Sequence, residues 1–192
     1  MKYALISVSD KRGLIEFARG LQGLGFSLLS TGGTAAALAK EHIPVTEIAE
    51  YTGSPEILGG RVKTLHPRVH GGILAQSTPE HLSELERHDI PPIDIVVCNL
   101  YPFEETIARS GVSEDEAVEN IDIGGVTLIR SASKNFARVL LLIDPDDYPE
   151  ALERLSKIDC DQAYRRRMAL KGFQRTSKYD QAIYDYFISH QV

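Results

Sequence analysis

The sequence has only two cysteines, no long hydrophobic run and no excess of positive charge. Cys98 and Cys160 lie far apart in the chain and fit neither zinc-ligand nor CxxC spacing, which argues against a disulfide scaffold or a zinc knuckle. No apolar segment is long enough to cross a bilayer, and the apolar run after Met1 turns polar too soon for a signal peptide. These absences predict a cytoplasmic protein without a membrane segment.

The charge balance is acidic. With 21 Lys and Arg against 27 Asp and Glu, the formal net charge is −6 and the isoelectric point is about 5.5. Such a surface repels polyanions, so nucleic acid is not expected as a partner. Hydrophobic residues make up 43% and charged residues 25% of the 192 residues, a composition that excludes disordered and fibrous classes. Because no repeat or proline-rich linker divides the chain, we predict one domain over residues 1–192.

Short apolar runs alternate with helical periodicity along most of the chain. The pattern predicts strands over 3–8, 26–30, 45–48, 93–100 and 138–143, and helices that include 79–88, 114–120 and 126–135. Asp10 is placed to cap the first helix, and Ser113 with Glu116 forms a capping box. The C-terminal helices are expected to bury Leu152, Leu155, Phe173, Tyr179, Ile183, Tyr186 and Phe187. Apolar strands that alternate with helices predict an α/β fold whose parallel sheet is covered on both faces.

Small and polar residues follow three of the predicted strands, where ligands bind in open parallel sheets. They are Ser7, Ser9 and Lys11 after the first strand, Thr31, Gly32, Gly33 and Thr34 after the second, and Asn99 and Tyr101 after the central one. A glycine turn that opens a helix offers free N–H groups and the positive end of the helix dipole to an anion such as a monophosphate. The turn matches neither GxxxxGK nor GxGxxG, so an ordinary tight turn is the alternative.

Two further segments carry charged groups beside glycines. Arg61, Lys63 and Thr64 lie in the stretch 51–70, which shows no periodicity, and Asp122 precedes Gly124 and Gly125, with Arg130 and Lys134 beyond. A carboxylate, two lysines and a tyrosine that converge on a phosphate pocket would form an acid/base set, although a surface charge is the better explanation of each residue taken alone. His66 and His70 have the spacing of zinc ligands on a helix, but Pro67 opposes a helix there and no third ligand is present, so no metal is predicted.

Five motifs in this order resemble one family closely: SVSDK, STGGT, GRVKTLHPRVHGGIL, NLYPFEET and ENIDIGG followed by TLIRSASKN. The chain resembles the inosine monophosphate cyclohydrolase domain, normally the N-terminal half of a bifunctional purine-biosynthesis enzyme that also carries a transformylase. The resemblance includes GFQRTSKYDQAI near the end and implies a three-layer α/β/α, methylglyoxal-synthase-like domain. It also implies a hydrolase, of the class that acts on cyclic amidines, which closes 5-formamidoimidazole-4-carboxamide ribonucleotide (FAICAR) to inosine monophosphate (IMP) in the last step of purine synthesis.

The resemblance assigns roles to residues of this sequence. It implies phosphate binding by Ser9, Lys11, Thr31, Gly32, Gly33 and Thr34, base binding by Ser7, Arg61, Thr64, Asn99, Ile123 and Gly124, and catalysis by Lys63, Tyr101, Asp122 and Lys134. In the mechanism we expect, Asp122 takes the amide proton, Lys134 or the backbone N–H groups of Ile123 and Gly124 stabilise the oxyanion, and Lys63 with Tyr101 relays a proton. No metal or cofactor is expected, and a homodimer is.

The sequence departs from the family pattern at two places and leaves alternatives open. The usual RAAAKN is RSASKN at residues 130–135, and Gln174-Arg175-Thr176 lacks the usual histidine before the threonine. No transformylase half fits in this chain, so it is either a stand-alone enzyme with a separate transformylase or an isolated domain. A regulatory module, like the effector-binding domain of carbamoyl phosphate synthetases, and a methylglyoxal synthase are the other candidate functions.

Overall fold

The computed structural model describes residues 2–190, which form a five-stranded parallel sheet with helices on both faces. The strands are β1 (Lys2–Ser7), β2 (Phe26–Ser30), β3 (Thr46–Glu47), β4 (Ile93–Cys98) and β5 (Leu140–Leu142). The helices are α1 (Leu14–Gly23), α2 (Gly32–Lys40), α3 (Ile48–Thr52), α4 (Pro67–Leu74), α5 (Pro79–Arg87), α6 (Phe103–Ile107), α7 (Glu114–Glu119), α8 (Gly124–Lys134), α9 (Tyr148–Ser156) and α10 (Gln162–Ser189). The predicted α/β fold is confirmed.

The strand order β3-β2-β1-β4-β5 places a switch point between β1 and β4. From β1 the chain builds outward through β2 to β3, and it then returns to place β4 on the other side of β1. The loops that leave the carboxyl ends of β1 and β4 therefore diverge toward opposite faces of the sheet. A crevice opens between such loops, and this is where open α/β sheets bind ligands.

Hydrophobic side chains cover both faces of the sheet. Because side chains alternate along a strand, Ala4 and Ile6 of β1 belong to one buried cluster and Leu5 to the other. The first cluster includes residues of α1, α9 and the first part of α10, and the second includes residues of α3, α4, α8 and the last part of α10. The long helix α10 packs on the edge strand β5 and on α8, so it contributes to both outer layers.

Three local predictions are corrected. Asp10 does not cap α1, because Gly13 precedes the helix and the Asp10 carboxylate instead accepts the backbone N–H of Arg12 at 3.0 Å. Pro67 begins α4 rather than opposing it, since the first position of a helix needs no N–H donor, and the His66 ring caps this helix. The irregular stretch is therefore confined to residues 53–66. Ser113 caps α7 by accepting the N–H of Glu116, but the Glu116 carboxylate pairs with Arg109 and does not complete the capping box.

The aromatic residues of α10 divide between the core and the surface. Tyr179 and Tyr186 are buried as predicted, and both rings contact Phe103 edge-on. Phe173 and Phe187 were predicted to be buried, but their side chains are 41% and 39% exposed. The guanidinium of Arg130 on α8 lies over the Phe173 ring at 6.0 Å, and the Phe187 ring packs edge-on against Tyr186 at 5.8 Å. Both rings therefore lie at the margin of the core, and the prediction that they are buried is wrong.

Candidate active site

A cleft of about 680 Å³ opens at the carboxyl ends of β1, β2 and β4, beside the switch point of the sheet. Its walls contain every residue predicted for the site except Lys134: Ser7, Ser9, Lys11, Thr31, Gly32, Gly33, Thr34, Arg61, Lys63, Thr64, Asn99, Tyr101, Asp122, Ile123 and Gly124. These residues come from five separate segments of the chain. The parallel topology brings the segments together because the ends of neighbouring strands meet at one edge of the sheet.

The amino end of α2 forms one wall of the cleft. Gly32 and Gly33 are the first two residues of the helix, whose N–H groups have no acceptor within the helix. Gly32 has a φ of 42°, a conformation that favours glycine, and a Cβ there would come within 3.5 Å of Lys63 Nζ. The Thr31 hydroxyl lies 3.1 Å from that of Ser7. Two free N–H groups, two hydroxyls and an ammonium suit a phosphate monoester.

Several of the predicted ligand contacts use their polar atoms within the protein, including the Ser9 hydroxyl, which donates to the carbonyl of Leu100 at 2.8 Å. The Thr34 hydroxyl donates to the carbonyl of Val8 at 3.0 Å and accepts the N–H of Val8 at 3.1 Å. Asn99 Oδ1 accepts the backbone N–H groups of Ser9 and Asp10, and Asn99 Nδ2 donates to the carbonyl of Asp10. The Thr34 and Asn99 side chains therefore hold the loop after β1 in place and shape the cleft.

Asp122 lies at the base of the cleft, between the end of β4 and the start of α8. Its carboxylate accepts the N–H of Gly125 at 2.7 Å. Burial raises the pKa of Asp122 above that of an ordinary aspartate, and the backbone N–H groups of Gly125 and Tyr101 oppose the rise. A carboxylate with a raised pKa in a polar cleft is a candidate general base.

The first turn of α8 lies directly beside this carboxylate. Ile123 and Gly124 begin the turn, and among residues 2–190 neither of their N–H groups donates a hydrogen bond within the protein. The Thr64 hydroxyl lies against the same turn, because a Cβ added to Gly124 would stand 3.0 Å from Thr64 Oγ1. Two free N–H groups at the start of a helix can stabilise an oxygen on which negative charge develops.

A short hairpin forms the rim of the cleft and carries two of its cations. Its arms pair at Ile57 and Val62. The Lys63 ammonium lies 3.0 Å from the Glu56 carboxylate, and the Arg61 guanidinium pairs with the Glu119 carboxylate at the end of α7. Both ion pairs are partly exposed, so exchange of either carboxylate for a bound nucleotide would require little desolvation.

Lys134 does not reach the cleft. It is the last residue of α8, ten residues after Gly124, and at 1.5 Å per residue the two positions are about 15 Å apart along the helix. Its side chain is exposed, whereas Ile129 and Ala132 on the inner face of the helix are buried. The structure therefore does not bring Lys134 together with the other residues predicted to be catalytic, because the length of α8 separates it from them.

The two histidines of the GRVKTLHPRVH segment have structural partners. His66 Nδ1 accepts the N–H of Arg68 at 3.1 Å, and His70 Nδ1 lies 3.1 Å from the hydroxyl of Ser131. Burial lowers the pKa of His70, so its ring is neutral at ordinary pH. Within the part of the chain that the structure describes, no cluster of three or more His, Cys, Asp or Glu side chains is placed to hold a metal ion.

Three residues that contact the predicted site residues were not selected from the sequence. Glu56 and Glu119 pair with Lys63 and Arg61, and the hydroxyl of Tyr179 accepts the backbone N–H of Asp122 at 2.8 Å. Glu119 carries no local signal because it lies 58 positions from Arg61, and Glu56 lies in the same aperiodic stretch as Lys63, where spacing does not predict contacts. Tyr179 lies in the GFQRTSKYDQAI motif, and this motif is the only signal that marks it.

Comparison with known proteins agrees with this architecture. The profile of the MGS-like domain family matches residues 13–127, more than half of the chain. The chain belongs to the MGS-like domain family. The profile of the AICARFT/IMPCHase bienzyme family matches residues 132–192 and so follows the MGS-like match. The resemblance to the cyclohydrolase domain that the sequence motifs indicated is thereby confirmed, as is the methylglyoxal-synthase-like fold.

Relatives of this MGS-like chain include much longer proteins and one of its own length. It is 52% identical over 188 residues to the bifunctional purine biosynthesis protein PurH of Macrococcus caseolyticus and 56% identical over 186 residues to that of Nostoc punctiforme. These matches cover 97% and 95% of this chain but only 38% and 36% of the relatives, so the chain spans little more than a third of their length. A solved structure titled ForH superposes with a TM-score of 0.88 at 37% identity, and the match covers 97% of both chains.

The helices of this MGS-like domain are those of a packed α/β fold. None of the helices described over residues 2–190 combines the length and the apolar character that a membrane span requires.

Cys98 and Cys160 are both free, and burial raises the pKa of the Cys98 thiol at the end of β4. Neither thiol lines the cleft, so neither belongs to the candidate site.

Proposed function

We propose that this chain acts in purine nucleotide synthesis and closes FAICAR to IMP with loss of water. One observation carries the proposal: a single cleft holds an anion-binding helix start at one wall and, at the other, a buried carboxylate beside two free backbone N–H groups. The first wall suits the ribose phosphate, and the second suits the ring closure. A module that only binds a phosphorylated effector would need the first wall alone.

The reaction joins a carboxamide nitrogen to a formyl carbon on the same ring. The nitrogen is a poor nucleophile because its lone pair is delocalised into the carbonyl group. Holding the two groups in an attack-ready geometry therefore supplies much of the acceleration. The phosphate at Gly32 and Gly33 anchors one end of the substrate, and the Thr64 and α8 wall confines the other.

Asp122 is the general base in this proposal. As the new C–N bond forms, the carboxamide nitrogen loses a proton to the Asp122 carboxylate. Burial raises the pKa of Asp122 and makes it a stronger base than a solvated aspartate, while the N–H group of Gly125 holds it in place.

The N–H groups of Ile123 and Gly124 stabilise the formyl oxygen as it gains negative charge. In the mechanism drawn from the sequence, either Lys134 or these N–H groups stabilise this oxygen, and we assign the role to the backbone because Lys134 lies at the far end of α8. Lys63 and Tyr101 supply the protons with which this oxygen leaves as water. The formamide nitrogen gives up the second N–H proton as the C–O bond breaks. This proton and the one held by Asp122 pass through solvent to Lys63 and Tyr101, so two protons leave nitrogen, one water is released and both proton donors are restored.

The proposal includes the partners and conditions expected from the resemblance. The chain acts in the cytoplasm as a homodimer, it needs neither a metal nor a cofactor, and a separate transformylase supplies FAICAR if no transformylase half accompanies it. Relatives of both lengths are consistent with such an arrangement, because ForH has the length of this chain and the PurH proteins are longer. Sedimentation measurements of the purified protein test the homodimer.

The deciding experiment mixes purified protein with FAICAR and follows the ultraviolet absorbance of IMP, with Lys63→Ala beside it. We expect the wild-type protein to close the ring rapidly and the Lys63→Ala substitution to lower the rate by at least tenfold. Isothermal calorimetry should detect binding of IMP to the wild-type protein. Tight binding of IMP without turnover would contradict the enzyme and support a regulatory module. Release of methylglyoxal from dihydroxyacetone phosphate would contradict the proposed substrate.

A further inference from the structure

Tyr179 connects the C-terminal helix to the catalytic segment. Its side chain is fully buried on α10, and its ring packs edge-on against Phe103 with the ring centres 6.1 Å apart. The hydroxyl accepts the backbone N–H of Asp122 at 2.8 Å and donates to the carbonyl of Asn120 at 3.4 Å. One hydroxyl therefore forms hydrogen bonds with both ends of the segment 120–122, and Tyr179 itself does not line the cleft.

We propose that Tyr179 is a positioning residue for the cyclohydrolase reaction, with its hydroxyl fixing the place of Asp122. This inference rests on the proposed function. Asp122 is held at its side chain and at its backbone, since its carboxylate accepts the N–H of Gly125 and its own N–H donates to the Tyr179 hydroxyl. The hydroxyl itself lies outside the cleft lining, so it acts on the reaction only through Asp122.

The Tyr179 hydroxyl can act as a permanent hydrogen-bond partner for the segment 120–122. Burial raises the pKa of Tyr179, so the hydroxyl keeps its proton and remains both an acceptor and a donor at neutral pH. A buried N–H without an acceptor is unfavourable, so removal of the oxygen would let residues 120–122 move toward another partner. A displacement of the reacting group by about 1 Å lowers the rate by roughly a hundredfold.

The test compares Tyr179→Phe with a matched control, Tyr186→Phe. Tyr186 lies on the same helix, is also buried and packs edge-on against the same Phe103 at 5.8 Å. Among residues 2–190, no hydrogen bond joins its hydroxyl to the segment that carries Asp122. Each substitution removes one oxygen and keeps the ring, so both variants should fold, and their unfolding midpoints verify this.

Three quantities are measured: kcat with FAICAR, the Kd of IMP, and the exchange rate of the Asp122 amide hydrogen by NMR. We expect Tyr179→Phe to lower kcat by about 10- to 100-fold, to change the Kd of IMP by less than threefold and to accelerate exchange at Asp122. Tyr186→Phe should leave kcat and the Asp122 exchange rate within twofold of wild type.

Other results overturn the inference. A Tyr179→Phe enzyme with kcat within twofold of wild type would show that the hydroxyl does not position the base. If Tyr179→Phe lowered kcat and IMP affinity in parallel and also strongly lowered the unfolding midpoint, Tyr179 would be a residue that only stabilises the fold. Wild-type protein that fails to turn over FAICAR contradicts the proposed function itself, and the inference then falls with it. The two failures are distinct because the first two results require an active wild type.

Discussion

Asn99, at the end of β4, holds Ser9 in the loop that leaves β1. Asn99 Oδ1 accepts the Ser9 N–H at 2.7 Å and lies 2.9 Å from the Ser9 hydroxyl. The same oxygen accepts the N–H of Asp10, and Asn99 Nδ2 donates to the carbonyl of Asp10. The two loops diverge at the switch point of the sheet. One side chain therefore fixes the opening between the strands where the cleft begins.

Replacement of Asn99 by alanine should loosen this opening. The change leaves two partly buried backbone N–H groups without their acceptor, so we expect the free energy of unfolding to fall by about 1–3 kcal/mol and IMP to bind more weakly. Urea denaturation and calorimetry measure the two effects. Gln22→Ala is the control, since the Gln22 amide is exposed and makes one hydrogen bond, to the carbonyl of Pro44. An Asn99→Ala protein as stable as this control would contradict the prediction.

Replacement of Asp122 by asparagine should abolish most of the catalysis. The amide keeps an oxygen that can accept the Gly125 N–H but cannot take a proton, so kcat should fall by about 10²–10⁴-fold with little change in the Kd of IMP. Asp94→Asn provides the control, because Asp94 is also an aspartate whose pKa burial raises, but it stands at the amino end of β4, away from the cleft. Equal losses of kcat and IMP affinity would argue that Asp122 only binds the nucleotide.

The pH dependence of the reaction should report the titration of Asp122. In the proposed mechanism the ionised form of Asp122 is the base, so kcat/KM should rise with pH through the pKa of Asp122 in the free enzyme and should be lost below it. Because burial raises that pKa, the acidic limb should lie above the range near pH 4 that is usual for aspartate. A profile that stays flat down to that range would contradict the assignment of Asp122 as the base.

Gly125 should tolerate no side chain. A Cβ at this position would overlap the Asp122 carboxylate and approach Leu100 Cδ2 to 2.9 Å, so Gly125→Ala should displace the base and lower kcat by at least tenfold. Gly23→Ala at the end of α1 is the control, since nothing lies within 4 Å of its added Cβ and its stability should be unchanged or slightly raised. Steady-state kinetics and thermal unfolding of the two variants test the difference.

The sequence predicted those parts of the site whose signals are local. A glycine turn between a strand and a helix places Gly32 and Gly33 at a helix start that lines the cleft, and NIDIGG places a carboxylate just before the helix start at Gly124. Lys134 was assigned to the site by motif similarity and by its nearness to Asp122 in the sequence. Motif spacing does not report the direction of α8, which carries Lys134 away from the cleft.

The sequence by itself determined the alternation of strands and helices, the polar strand ends and the family resemblance, because apolar periodicity and glycine turns act over a few residues. Only the tertiary structure decided which polar groups meet. Tyr179 and Asp122 are 57 positions apart, and Ser9 and Asn99 are 90 apart, so their hydrogen bonds depend on strand order and helix packing. Those long-range contacts determine which residues can meet a substrate and which ones hold the others in place.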